Sequence, residues 1–191
     1  MIRRALKFAA NAVCLVLVLP AAALSRFGRL ESVFVMFSQA FAMAPGLPGD
    51  YLRIAFYKLT LLDCSLASRI GFGSFFAHRE ATVGSRVYIG SYCVLGRVSI
   101  GPRSQIASGV QVLSGRHQHV RDRSGQISGS HEGEFVAVTI GSDCWIGAAA
   151  VVMADVGANS TVGAGSVVTR PIPPGSVAVG SPARVIQGEP V

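Results

Sequence analysis

From residue 83 onward, an aliphatic residue followed by glycine or another small residue recurs at six-residue intervals, and that period restricts the fold more than any other feature of the chain. Val83-Gly84, Ile89-Gly90, Leu95-Gly96, Ile100-Gly101, Ile106-Ala107 and Val112-Leu113 form a first block. Ile140-Gly141, Ile146-Gly147, Val152-Met153, Val156-Gly157, Val162-Gly163 and Val168-Thr169 form a second. Leu66-Ala67 and Phe72-Gly73 read as earlier members. The step shortens to five between Leu95 and Ile100 and to four between Val152 and Val156, and a long gap follows Val112. A period of six fits neither a helix nor a plain alternating strand. It describes a short strand and a corner in every unit, with one aliphatic side chain per unit directed into a shared core and hydrogen bonds running between stacked coils. Corner residues must be small or tolerate unusual backbone angles, which on this reading accounts for the glycines. Asp155, in the shortened step, is expected in an altered turn.

The first 62 residues lack the repeat. Arg3 and Arg4 precede an uncharged run over 8–24, about 25 Å long as a helix and at the short limit for a membrane span. Pro20 is expected to kink or stop that helix. Ala21-Ala22-Ala23 mimics a cleavage site, so a removed signal peptide is the alternative. A second apolar stretch over 33–47 closes on Pro45, Gly46, Pro48 and Gly49, and a third over 51–62 has the spacing of an amphipathic helix lying on a membrane or on the next domain. Half the residues are hydrophobic and 14% are charged, against about 25% charged in a typical soluble domain. Part of that apolar surplus is expected in lipid. Arg3, Arg4 and Lys7 precede the first run and Arg26 and Arg29 follow it, a symmetry that does not favour one clean crossing. A re-entrant or shallow helical hairpin is expected, the alternative being a helical cap packed within an oligomer. The division expected is a helical membrane-associated segment over 1–62, a repeat domain over 63–186 with a long loop over 113–137, and a tail over 187–191.

The formal charge of +7 does not indicate nucleic-acid binding, because beyond the N-terminal set the basic residues are scattered and only one tryptophan is present. Attraction to a membrane surface and to an anionic small ligand fits better. Cys14, Cys64, Cys93 and Cys144 form no CxxC pair. They read as small core residues of a reducing compartment, neither zinc ligands nor a disulfide framework.

The gap after Val112 begins Leu113-Ser114-Gly115-Arg116-His117-Gln118-His119 and continues as a polar stretch to Val136. Loops of this length in compact domains are mostly functional or disordered. Histidine titrates near neutrality, so either ring can take a proton from a hydroxyl and return it to a leaving group. The next segment runs Ile140-Gly141-Ser142-Asp143-Cys144-Trp145-Ile146-Gly147-Ala148-Ala149. Further on come Val162-Gly163-Ala164-Gly165-Ser166-Val167-Val168-Thr169-Arg170, then Pro171-Ile172-Pro173-Pro174, then Gly180-Ser181-Pro182-Ala183-Arg184. These resemble the IGxxxWIG and GAGSVVT-(K/R)…PP…G-(N/S)-PA-(K/R) motifs of the hexapeptide-repeat acyltransferases, in particular the galactoside, maltose and polysaccharide O-acetyltransferase branch. The resemblance covers residues 64–186.

That resemblance implies a left-handed parallel β-helix, mainly β, working as a homotrimer with acetyl-CoA as acyl donor and no metal. The hand comes from the resemblance alone, since parallel crossovers in general favour the right hand. Related enzymes carry a histidine about five positions past the last aliphatic residue of the first block, which here is His117, the expected general base. His119, two places on and on the same side of an extended segment, competes with it. Asp122, Glu132 or Glu134 would orient the base. The backbone N–H of Ala148 would donate to the thioester oxygen as it becomes an oxyanion. Trp145 would border the thioester end of the groove, or pack against the long loop. Ala148, Ala149 and Ala164 would leave room for the pantetheine arm, Thr169 and Arg170 would meet the adenosine end, and Arg184 would meet a phosphate. The asparagine that relatives carry near Tyr88 to Tyr92 is absent, and His78 is expected as a corner residue. The expected function is acetyl-CoA-dependent O-acetylation of a hydroxyl on a sugar, polysaccharide precursor or lipid-linked glycan at the cytoplasmic face of a bacterial inner membrane. The alternatives are a metalloenzyme like the gamma-class carbonic anhydrases, which needs three convergent histidines, and a non-catalytic scaffold. A covalent cysteine route is disfavoured because Cys93 and Cys144 sit in repeat positions without a paired base.

Overall fold

The computed structural model describes residues 2–115, 126–127 and 135–186. The repeat region winds into stacked triangular coils. The first coil holds β1 (Asp63–Cys64), β2 (Arg69–Ile70) and β3 (Phe75–Phe76), and the second holds β4 (Thr82–Val83), β5 (Tyr88–Ile89) and β6 (Val94–Leu95). The third holds β7 (Val98–Ile100), β8 (Gln105–Ile106) and β9 (Gln111–Val112), and the fourth β10 (Val138–Ile140), β11 (Trp145–Ile146) and β12 (Val151–Val152). The fifth enters by an isolated bridge at Val156 and continues through β13 (Thr161–Val162) and β14 (Val167–Val168). Ile172 and β15 (Val177–Val179) begin one more turn before β16 (Arg184–Ile186) folds back antiparallel on β15. Apart from the antiparallel β16, like strands pair in parallel into three faces: a first face β1-β4-β7-β10, a second face β2-β5-β8-β11-β13-β15-β16 and a third face β3-β6-β9-β12-β14.

One fully buried aliphatic column fills each face, as the six-residue period requires, with Ile70, Ile89, Ile106, Ile146 and Val162 stacked inside the second face. In the first coil the register differs from expectation. The inward residues are Cys64, Ile70 and Phe76, paired with Val83, Ile89 and Leu95, whereas Leu66 and Phe72 are only half-buried. A shift of two preserves the in–out alternation, so periodicity alone admits both registers and only the pairing chooses. A second inward column sits two residues before each aliphatic and includes Val87, Cys93, Ser104, Val110, Cys144, Ala150, Ser160 and Ser166. Its serines tie neighbouring coils together: Ser104 Oγ donates to the Gly141 carbonyl at 2.7 Å and accepts from the Cys144 N–H at 3.0 Å. These buried hydroxyls are therefore satisfied.

Of the two expected reasons for the glycines after the aliphatic residues, small size holds and an unusual backbone angle does not. A Cβ on Gly147 would lie 2.4 Å from Ala164 N, and one on Gly101 would lie 2.4 Å from Ser142 N. Those positions need the absence of a side chain so that coils can approach. The left-handed backbone occurs instead two residues later, at Arg86, Tyr92, Arg103, Asp143, Ala149 and Asn159, mostly without glycine. Gly165 has φ +66° with nothing within 4 Å of an added Cβ. Gly147→Ala is thus expected to destabilise the chain by about 3 kcal/mol, because the coils must separate, and Gly165→Ala by about 1 kcal/mol, the cost of left-handed backbone alone. Equal losses on thermal unfolding would refute the close-approach argument.

Every change in step length falls on one edge of the prism, between the third and first faces. Phe76 to Val83 is seven residues, Leu95 to Ile100 five, and both Val152 to Val156 and Val168 to Ile172 four, and the long loop leaves between Val112 and Ile140 on the same edge. At the shortened fourth turn Asp155 Oδ1 accepts the Thr139 N–H at 2.7 Å, and the Val156 N–H bonds the Thr139 carbonyl at 2.8 Å. The carboxylate supplies an acceptor that the shortened backbone lacks.

Three helices, α1 (Ile2–Leu24), α2 (Glu31–Ala42) and α3 (Gly46–Thr60), close the first-coil end. Helix α3 lies on β1 and β2, and α2 on β3. The apolar stretch over 33–47 is thus divided, with α2 ending at Ala42 and α3 starting at Gly46. Arg53 of α3 is fully buried and joins these parts. Its guanidinium donates to the carbonyls of Ala44 (2.6 Å), Phe41 (3.2 Å), Ala42 (3.3 Å) and Ile70 (2.9 Å) and to Asp50 Oδ1 (2.6 Å). Helix α1 runs through Pro20 to Leu24, so Pro20 does not stop it. Pro20 lies in the last turns, and the following turn is rebuilt by the Ser25 N–H on the Ala21 carbonyl and Ser25 Oγ on the Ala22 carbonyl. Helix α1 packs chiefly along α3, with Lys7 beside Asp50 and Tyr51 at one end and Gly28 against Thr60 past the other.

Candidate functional site

The small residues singled out from the sequence meet on the edge between the second and third faces. Ala148 and Ala149 turn the fourth coil and Ala164 the fifth. The Gly165 N–H bonds the Ala148 carbonyl at 2.8 Å, and Ala149, at φ +56°, donates to the Ser108 carbonyl at 3.0 Å. Ala148, Ala149 and Ala164 are all exposed. The Ala148 N–H has no hydrogen-bond partner among the described residues, in contrast to the N–H groups of Gly147 and Ala149 on either side. A free backbone donor on an exposed residue flanked by methyl groups can receive a carbonyl oxygen without obstruction by a large side chain.

Trp145 stands on the outer surface of the second face, 59% exposed, between its ladder neighbours Gln105 and Thr161. With Tyr88, Gln105, Ile106 and Ala107 it lines a shallow groove leading toward the alanine edge. It does not pack against the described ends of the long loop, Gly115 and Phe135, which lie on another edge: the loop leaves from the third face, whereas Trp145 belongs to the second. Thr169 and the exposed Arg170 follow β14 at the third-to-first edge, so the third face separates them from Ala148 within one chain. Arg184 opens β16, exposed, opposite Val179. The segment before it is tied to the fifth coil by the Gly180 N–H on Ser166 Oγ at 3.1 Å and the Ala183 N–H on the Val167 carbonyl at 2.8 Å. That turn sets Arg184 beyond the alanine edge at the end of the coil stack.

His117 and His119 lie outside the described residues, as do Asp122, Glu132 and Glu134. The two stems of their loop are tied to the coils. Ser114 is buried, and its Oγ accepts the Arg97 N–H at 2.8 Å. On the return side Arg97 Nη1 donates to the Phe135 carbonyl at 3.2 Å, with its guanidinium 5.5 Å from the Phe135 ring centroid. His78 is a corner residue as expected; its ring lies 5.5 Å from that of Phe135, and its Nδ1 is 2.7 Å from Glu31 Oε1. Arg97 was not found from the sequence, although it sits in the shortened step after Leu95. The buried thiols are poor nucleophiles: burial pushes Cys93 and Cys144 upward and Cys64 up to about 12. Among the described residues no group of histidines, cysteines and carboxylates could hold a metal ion.

Stacked hexapeptide coils with a small-residue edge are the architecture of the hexapeptide-repeat β-helix proteins, which this chain resembles in fold. The family description "Hexapeptide repeat of succinyl-transferase" matches residues 137–170. The galactoside O-acetyltransferase of Escherichia coli (strain K12) is 52% identical over 52 residues, which is 26% of this chain and 26% of that protein. The match thus spans about a quarter of the curated relative's length. The crystal structure of a maltose O-acetyltransferase from Clostridium difficile 630 superposes with a TM-score of 0.70 at 22% identity, covering 89% of this chain and 91% of that one. A hexapeptide-repeat acetyltransferase from Vibrio cholerae, solved in complex with acetyl-CoA, superposes with a TM-score of 0.52 at 19% identity over 87% of this chain and 88% of that one. These structural likenesses concern the fold.

Proposed function

We propose that this protein is an acetyl-CoA-dependent O-acetyltransferase. The observation that carries the reading is the N–H of the exposed Ala148, unpartnered among the described residues, on an edge where Ala148, Ala149 and Ala164 present only methyl groups. The IGxxxWIG and GAGSVVT motifs lie around it, and the named relatives support it. Acetyl-CoA lies along that edge with its thioester at Ala148 and Trp145. Arg184 meets the phosphates, and Thr169 and Arg170 of a neighbouring copy in a trimer meet the adenosine end, because within one chain the third face stands between. His117 removes the proton of an acceptor hydroxyl, the oxygen attacks the thioester carbonyl, Ala148 holds the oxyanion, and CoA leaves as the thiol with the proton returned by the histidine. The acceptor is a hydroxyl of a sugar, polysaccharide precursor or lipid-linked glycan.

We further propose that the protein works on the cytoplasmic surface of a bacterial inner membrane. Among the described residues one helix, over Leu6–Leu24, is long and apolar enough to cross a membrane, and 22% of it is buried. Its outer side exposes Leu6, Phe8, Val13, Val16, Leu17 and Leu24. Because α1 lies along α3 and meets the rest of the chain at both ends, it is suited to lie in the membrane interface, with Lys7, Arg26 and Arg29 at the headgroups.

The decisive test is acetyl-CoA binding and thiol release by the detergent-purified chain. Micromolar binding weakened about tenfold in Arg184→Ala, as loss of a charge-assisted phosphate contact implies, would uphold the transferase. No binding in any form would overturn it. For the membrane, full-length protein released into the soluble fraction by high salt without detergent would contradict the interfacial reading.

A further inference from the structure

Where the turn between α1 and α2 meets the third-to-first edge, a cleft is lined by Gly28, Arg29, Glu31, Arg79, Glu80 and Arg97. Its charges are poorly matched. Arg29 and Arg79 make no ion pair among the described residues, and Arg97 reaches Glu80 only at 3.7 Å. Arg79 Nε and Arg97 Nε are both buried atoms with no acceptor among the described residues. Of the two carboxylates, Glu31 faces His78 Nδ1 at 2.7 Å. Three arginines and two glutamates therefore line one cleft, with an excess of positive charge and two buried donors unmet, which is costly unless an anion supplies oxygens. Guanidinium forks match phosphoryl oxygens in geometry and charge.

The cleft is placed for use. Gly28 lies four residues past Leu24, where the apolar stretch of α1 ends. Arg97 also holds Phe135, where the histidine-bearing loop returns to the prism. We propose that this cleft binds a phosphoryl group of the acceptor, positioning a hydroxyl of that molecule toward the loop. The word acceptor rests on the transferase reading; the anion site itself does not. The phosphoryl group belongs either to a membrane lipid or lipid-linked glycan, or to a water-soluble phosphorylated sugar.

The probe is inorganic phosphate, titrated calorimetrically into the full-length protein in detergent at low ionic strength, together with flotation on phosphatidylcholine vesicles with and without phosphatidic acid. Wild type is expected to bind phosphate, Arg79→Gln to bind it about tenfold more weakly and the exposed Arg29→Gln about threefold more weakly, while Arg86→Gln on another edge is unchanged. Arg29→Gln guards against misfolding of the half-buried Arg79 variant. Loss of phosphatidic acid preference together with phosphate binding in Arg79→Gln assigns the site to a lipid-borne phosphate. Loss of phosphate binding with vesicle behaviour unchanged assigns it to a soluble phosphorylated acceptor. Phosphate binding absent in wild type, or equal in wild type, Arg79→Gln and Arg29→Gln, overturns the proposal. Acetyl-CoA binding is measured in the same samples and is expected to be unchanged in Arg79→Gln. Phosphate binding without acetyl-CoA binding would leave the cleft standing and remove the transferase.

Discussion

His117→Ala is expected to lower acceptor-dependent thiol release by about a hundred- to ten-thousand-fold, the range for loss of a general base. Acetyl-CoA affinity should stay within about twofold, since the interaction removed acts in the transition state rather than in donor binding. His119→Ala should retain turnover within about threefold. Single-turnover assays of both variants with saturating acetyl-CoA decide the matter. The reverse pattern moves the base two residues along the loop, and normal turnover in both removes histidine catalysis. The prediction is tied to the loop stems. Ser114 and Arg97 on one side and Phe135 on the other fix where the loop leaves and rejoins the coils, and His117 is three residues past Ser114.

The second large effect concerns stability. Arg53→Met is expected to cost about 3–5 kcal/mol, as removal of one member of a buried ion pair does, and to lower the unfolding midpoint by about 10 °C. The Arg53 side chain is fully buried. Burial lowers its pKa from the ordinary arginine value, and its hydrogen bond to Asp50 opposes that. Its loss would leave Asp50 with only the exposed Arg69, whose Nε donates at 2.7 Å, and would remove the guanidinium donor from the carbonyls of Phe41, Ala42, Ala44 and Ile70. The helical cap would then loosen from the first coil, exposing Phe56 and Tyr57, of which Tyr57 packs edge-on against Phe76 and Phe56 packs against Tyr57. Thermal unfolding followed by circular dichroism tests this. A loss below about 1 kcal/mol would mean that water takes over the carbonyls and that the cap is not fastened by Arg53.

Local periodicity carried much of the reading. The aliphatic column from Val83 to Val168 was legible because each coil repeats the same demand, one large apolar residue per face, and repetition makes a weak local signal unambiguous. The alanine edge was legible for a related reason. Ala148, Ala149 and Ala164 stand at equivalent corners of successive coils, so motif spacing translates directly into adjacency. The first coil was not, because Cys64 replaces an aliphatic residue there and a two-residue shift keeps the same alternation. Pro20 did not end α1, because a proline rule describes one lost hydrogen bond and one clash, while α1 packs along α3 and continues to Leu24.

The amino-acid sequence by itself determined the six-residue coil, its inward aliphatic column and the motifs around Trp145 and Arg184, because these depend on neighbours within one turn of chain. Only the tertiary structure decided why the glycines are glycines, that every irregular step shares one edge, and that Arg53, Arg79 and Arg97 matter. Those facts depend on residues far apart in the chain, Gly147 against Ala164, Arg53 against Ile70, Arg97 against Phe135. Close approach between coils and the convergence of buried charges are properties of stacking, and no local pattern encodes them.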